Sequence, residues 1–149
     1  MAAGDPIRVF VTHAWQESDD YLRVFEYLES ARNFRYLNCS DPGRQVSGHE
    51  AVREELRRQI NLAEAVVALA SLAQEQRDLL YFQVNCAKGS DKPVVLLPGF
   101  GREVPLPKDL VALADEQAAW DERSLVDALR RQARHQESTR WDTIEFKLD

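Results

Sequence analysis

Ile7-Arg8-Val9-Phe10-Val11-Thr12-His13-Ala14-Trp15 decides how the chain is read. An apolar run of strand length, residues 7–12, stops in a polar Thr-His step, and a helix follows almost at once. In an open parallel α/β sheet, ligands bind outside the carboxyl ends of the strands. The first strand therefore aims Thr12 and His13 at the expected ligand position.

Working outward, Ser18 reads as an N-cap, with Asp19 and Asp20 in a first turn where the helix dipole favours negative charge. Tyr21, Val24, Phe25, Leu28 and Ala31 recur at helical spacing, and Asn33 ends that helix. Phe34 to Asn38 alternates weakly and reads as a second strand, closed by the turn signal Asp41-Pro42-Gly43. Ser47-Gly48-His49-Glu50 fits a capping box with Ser47 at the cap. The helix after it places Val52, Leu56, Ile60 and Ala63 on one side and Arg53, Glu54, Glu55, Arg57 and Arg58 on the other. Ala65 to Ala70 is continuously apolar, as a central parallel strand covered on both faces should be.

Ser71 to Gln74 is expected to cap a third helix running to about Lys88, ended by Gly89. Lys92 to Pro98 is the fourth strand, with prolines only at its ends. A loop over 99–108 precedes a short helix over Asp109–Asp115 and a short edge strand over Gln117–Trp120. Asp121 opens a last helix with Leu125, Val126, Leu129 and Ala133 inward. The tail, Trp141 to Asp149, alternates and is expected to add an edge strand or a docking segment. Strands alternating with helices imply one α/β domain over 1–149: a parallel sheet of about five strands with helices on both faces.

Composition limits the function. The 149 residues carry a net charge of −6, against non-specific binding of nucleic acid or anionic membranes. No run of 18 apolar residues exists, so no membrane span is expected. The N-terminus lacks the basic region and apolar core of a signal peptide, which points to the cytoplasm. There Cys39 and Cys86 are expected to stay unpaired. No Walker-type loop, G-x-G-x-x-G, G-x-S-x-G or H-E-x-x-H pattern is present, and no zinc or EF-hand spacing, so no metal is expected.

Arg8 to Trp15, Ser18-Asp19-Asp20-Tyr21 and Asn33 to Pro42 resemble the bacterial TIR-like domains, with a closest likeness to the stand-alone ThsB-type proteins of Thoeris anti-phage defence. Lys92-Pro93-Val94-Val95 and Trp120-Asp121 through Ser124-Leu125-Val126 to Ala128-Leu129-Arg130 match later landmarks. The resemblance covers about residues 7–133; the extension from Arg134 on matches nothing. It implies a flavodoxin-like fold and an NADase: NAD is the substrate, the nicotinamide–ribose bond is cleaved, and a cyclic or conjugated ADP-ribose signal switches on a downstream effector. Such domains often work as homo-oligomers. The family's catalytic Glu lies on the third helix, and Gln83 falls on that position.

Gln keeps the size and hydrogen bonding of Glu but not its charge, so turnover should fall by roughly 10²–10³-fold. Three accounts fit: an introduced Glu→Gln change, a natural loss in a binding-only chain, or a different register of the resemblance or another residue supplying the charge. Leu79, Leu80, Cys86 and Ala87 share the face of Gln83, and a polar group among apolar neighbours needs a partner. The expected pocket is Thr12, His13, Trp15, Asn38, Ser40 and Gln83. The alternative function is a non-catalytic module that assembles with an effector or other TIR domains; a weaker one is nucleoside binding. Restoring Glu at position 83 separates the first two.

Overall fold

A computed structural model describes residues 5–101 and 105–135. The elements alternate: β1 (Ile7–Val11), α1 (Asp19–Ser30), β2 (Tyr36–Asn38), α2 (His49–Leu62), β3 (Ala65–Leu69), α3 (Arg77–Gly89), β4 (Val94–Leu97), α4 (Lys108–Leu113), β5 (Glu116–Gln117) and α5 (Glu122–Arg134). All five strands are parallel, in the order β2-β1-β3-β4-β5. This is the flavodoxin-like order, whose switch point lies between β1 and β3.

The central strand explains the layers. Every residue of β3 is buried. Its Ala65, Val67 and Leu69 join Val9, Val11, Val95 and Leu97 under α1 and α5, where Val24, Leu28, Leu125 and Leu129 cover them. Val66 and Ala68 turn the other way with Phe10, Val94 and Leu96, against Leu56 and Ile60 of α2, Leu80 and Val84 of α3 and Leu110 of α4. Each such Leu contributes roughly 1.5–3 kcal/mol by leaving water. The continuous apolar run at 65–69 is what two covered faces require.

The ends of elements differ from expectation in instructive ways. Ser18 caps α1, its Oγ accepting from Tyr21 N at 3.2 Å. Asp121 caps α5 in the same way, accepting from Arg123 N at 3.2 Å. The capping box at Ser47 does not form. Gly48 takes the cap with φ +101°, a backbone region that glycine adopts at no steric cost, and no side chain caps α2. The segment at Ala70–Ala73 is a separate turn of 3-10 helix, so α3 begins only at Arg77. The last strand is shorter and earlier than expected, Glu116–Gln117, because only these residues reach β4 in register. The tail over 141–149 lies outside the described residues. No described helix is long and apolar enough to cross a membrane.

Candidate functional site

The carboxyl ends of β1, β3 and β4 converge on a cleft of about 370 Å³. The β1–α1 connection supplies Ala14, Gln16 and Ser18, and the first turn of α1 supplies Asp19 and Asp20; the segment after β3 supplies Ser71, Leu72, Gln74, Glu75 and Gln76. The cleft thus opens at the β1/β3 switch point, where open α/β sheets place ligands. Its far wall is Phe100, beyond β4. Arg23 lies 3.8 Å from the Phe100 ring centre and pairs with Asp20 at 3.3 Å, while Asp20 also accepts from Phe100 N at 3.3 Å. A smaller hollow of about 190 Å³ adjoins it, sharing Ser71 and Gln74 and lined by Ala70, Ala73, Leu106 and Arg77.

None of the six residues expected to form the pocket lines this cleft. Thr12, His13, Ser40 and Gln83 are buried, Trp15 is half-buried and Asn38 is exposed at the end of β2. Thr12 is fully buried, its Oγ1 accepting from Leu69 N at 3.0 Å, which fastens the end of β1 to the end of β3. Gln83 is also fully buried, on the inward face of α3. Its Oε1 accepts from His13 N at 3.0 Å, and its Nε2 donates to His13 O at 2.9 Å and Leu79 O at 3.0 Å. His13 N can only donate, and the two carbonyls can only accept. An amide satisfies all three. A carboxylate at residue 83 would turn an oxygen toward both carbonyls.

His13 is 1 % exposed. Its Nδ1 accepts from Trp15 N at 3.2 Å, so the proton sits on Nε2, which donates to Gln59 Oε1 at 3.0 Å. Burial holds the imidazole pKa below its ordinary value, so the ring is neutral at pH 7. Trp15 has φ +64°, unusual for a bulky side chain, and its ring meets the His13 ring edge-on at 4.8 Å.

Asn38 and Ser40 close a ring with Tyr21. Asn38 Nδ2 donates to Tyr21 Oη at 3.1 Å, Tyr21 Oη bonds Ser40 Oγ at 2.9 Å, and Ser40 Oγ donates to Asn38 Oδ1. The amide fixes the direction, since Nδ2 cannot accept and Oδ1 cannot donate. Ser40 N adds a bond to the same Oδ1 at 2.9 Å. Burial pushes the Tyr21 phenol up, so it stays protonated.

Sequence reasoning placed Tyr21 on an apolar helix face and said nothing of Gln59. Gln59 is fully buried and makes four bonds: Oε1 accepts from His13 Nε2 and Asp41 N, and Nε2 donates to Asp41 O and Glu55 Oε2. The sequence signal was its spacing: residue 59 stands three after the apolar Leu56 on α2 and four before Ala63 at its end, as Gln83 stands three after Leu80 and four before Ala87 on α3. Beneath it, hydrogen bonds from Arg58 hold the Glu55 carboxyl down to about 2, and Arg44 lies 3.5 Å away. Cys39 and Cys86 are unpaired, their thiols pushed up by burial and so poor nucleophiles. Among the described residues no His, Cys, Asp and Glu cluster suits a metal ion. No family model matches the chain, and none of the curated proteins matches it.

Proposed function

We propose that this chain is a TIR-like domain of anti-phage signalling, of the Thoeris ThsB type, which takes NAD into the cleft between β1 and β3 and does not cleave it at residue 83. One observation carries the second half. At the position that the resemblance gives to the catalytic Glu stands a neutral, fully buried amide whose donors and acceptor are all engaged by His13 and Leu79. Cleaving the nicotinamide–ribose bond builds positive charge on the ribose, and only a negative group beside it offsets that charge. Gln83 has none to offer; both of its N–H hydrogens are engaged, and its burial leaves no exposed surface from which to hold a ribose hydroxyl. In this reading the domain binds its ligand and acts through a partner, another TIR domain or an effector.

A second reading is favoured by the cleft itself. Among the described residues, Asp19, Asp20 and Glu75 line it together with Arg23. A carboxylate from this wall would serve the ribose in place of Glu, and the chain would then release an ADP-ribose-derived signal.

The test has two arms. Thermal unfolding with and without NAD reads binding: at 100-fold above Kd a ligand stabilises by about 2.7 kcal/mol. Chromatography with mass detection reads NAD loss and nicotinamide release, for the chain and for Asp19→Asn and Glu75→Gln. Stabilisation without NAD loss is the expected result. Cleavage that disappears in either variant establishes the second reading. Absence of both binding and cleavage, with partner proteins present, overturns the NAD proposal and leaves an interaction module.

A further inference from the structure

Gln59 reaches two loops at once. Through Asp41 N at 2.9 Å and Asp41 O at 3.3 Å it grips the backbone of the loop after β2. Through His13 Nε2 at 3.0 Å it fixes the imidazole tautomer, and that leaves Nδ1 free to accept from Trp15 N at 3.2 Å. Trp15 sits between Ala14 and Gln16, both on the cleft wall, and holds φ +64°. A bulky residue keeps such a backbone only when its surroundings over-determine it. The bond to His13 Nδ1 is part of that constraint, and it exists only while Nδ1 carries no proton.

We infer that Gln59 is the positioning residue of the cleft, one amide that locks the His13 tautomer and the Asp41 peptide together so that the β1–α1 and β2–α2 loops hold a single arrangement. The link to NAD rests on the function proposed above; the link between the loops does not. Glu55 orients the amide: its Oε2 accepts from Gln59 Nε2 at 2.8 Å, so Gln59 presents its oxygen to both donors. A flipped amide would set Nε2 against the Asp41 N–H and leave the His13 Nε2 proton without an acceptor. Gln59 touches no cleft atom and acts only through His13 and Asp41.

The experiment is nuclear magnetic resonance of the whole chain, wild type and Gln59→Met, a substitution of similar length with no hydrogen bond. In the wild type at pH 7 the His13 ring nitrogens should report a single neutral tautomer protonated at Nε2. In the variant the tautomers should mix, and amide exchange at Trp15 and at Asp41 should both accelerate about tenfold, the loss of roughly one hydrogen bond each. Exchange at Ala118, which bonds Leu96 O across the sheet, should not change. Acceleration at Asp41 with the His13 tautomer and Trp15 unmoved would overturn the coupling. So would a wild-type ring protonated at Nδ1, a result readable even if the variant fails to fold. NAD titration supplies the third readout, with Kd expected to rise about tenfold in Gln59→Met. If the wild type does not bind NAD, the functional reading fails, while ring and exchange data still decide the role of Gln59.

Discussion

Gln83 on α3 and Gln59 on α2 look like the same device, and the difference between them shows how a buried amide acquires reach. Each is fully buried, and each clasps the N–H and C=O of one residue at a strand end: His13 for Gln83, Asp41 for Gln59. The bonds left over go to different places. Gln83 returns its remaining hydrogen to Leu79 O, one turn back on its own helix. Gln59 sends its remaining valences to His13 and Glu55. Gln83 thus ends a connection between α3 and β1. Gln59 joins α2 to the β1–α1 loop, which lines the cleft, and to the loop after β2, with Glu55 and its arginines as the outer anchor.

The largest effect expected from this comparison is at Gln83. Gln83→Glu places a carboxylate against two carbonyl oxygens in a fully buried site, and should cost about 3–5 kcal/mol at pH 7, as an unpaired buried charge does. The protonated acid can donate to one of those carbonyls. Its pKa in the folded state therefore rises above the unfolded value, and stability should return as pH falls. Chemical denaturation at pH 7 and pH 5 checks both points; an unchanged midpoint at pH 7 would break the account of residue 83. The same substitution is thus expected to weaken the fold before it can restore any cleavage.

Gln59→Met should cost less, about 2–3 kcal/mol, because it leaves unsatisfied polar groups but no charge. A loss as large as that of Gln83→Glu would erase the distinction between clamp and hub.

Acid titration sharpens the outer anchor. Burial lowers the His13 pKa from 6.5, so the stability that its neutral form provides is complete above 6.5 and declines as pH falls below it. The Glu55 carboxyl is held down to about 2, so its contribution is present above 4.5 and is lost between 4.5 and about 2. Glu55→Gln should shrink the lower limb of the acid transition and, because the Glu55 charge raises the His13 pKa, lower that pKa further, as read by circular dichroism across pH. The smallest effect is at the other loop contact. Tyr21→Phe opens the Asn38–Tyr21–Ser40 ring and should cost about 1 kcal/mol, with faster exchange at Ser40 N and none at His13.

The fold was largely legible because its signals are periodic. The alternation of Val9, Val11 and Phe10, the continuous run at 65–69 and the helical spacing of Val24 and Leu28 each state a local geometry and a buried face. The site was legible in part. Thr12, His13, Asn38, Ser40 and Gln83 do stand at strand ends and on the inward helix face near the switch point. What the pattern could not convey is that they bond interior partners instead of facing the cleft, Thr12 with Leu69, His13 with Gln83 and Asn38 with Ser40, since a hydrogen bond between residues 13 and 83 leaves no periodic trace. The same limit hid Gln59, whose partners lie on other elements. It also produced the misplaced cap at Ser47, where the sign of a single φ outweighed a good motif.

By itself, then, the sequence determined the α/β class, the order of elements, the two apolar faces and the polar residues that the interior must satisfy. Only the tertiary structure decided which polar groups pair, and hence that Gln83 and Gln59 support the cleft from below while Asp19, Asp20, Glu75 and Phe100 line it. The reason is physical. Burial depends on local spacing, which one chain segment carries alone, whereas a hydrogen bond needs a donor and an acceptor brought within about 3 Å by the packing of separate segments.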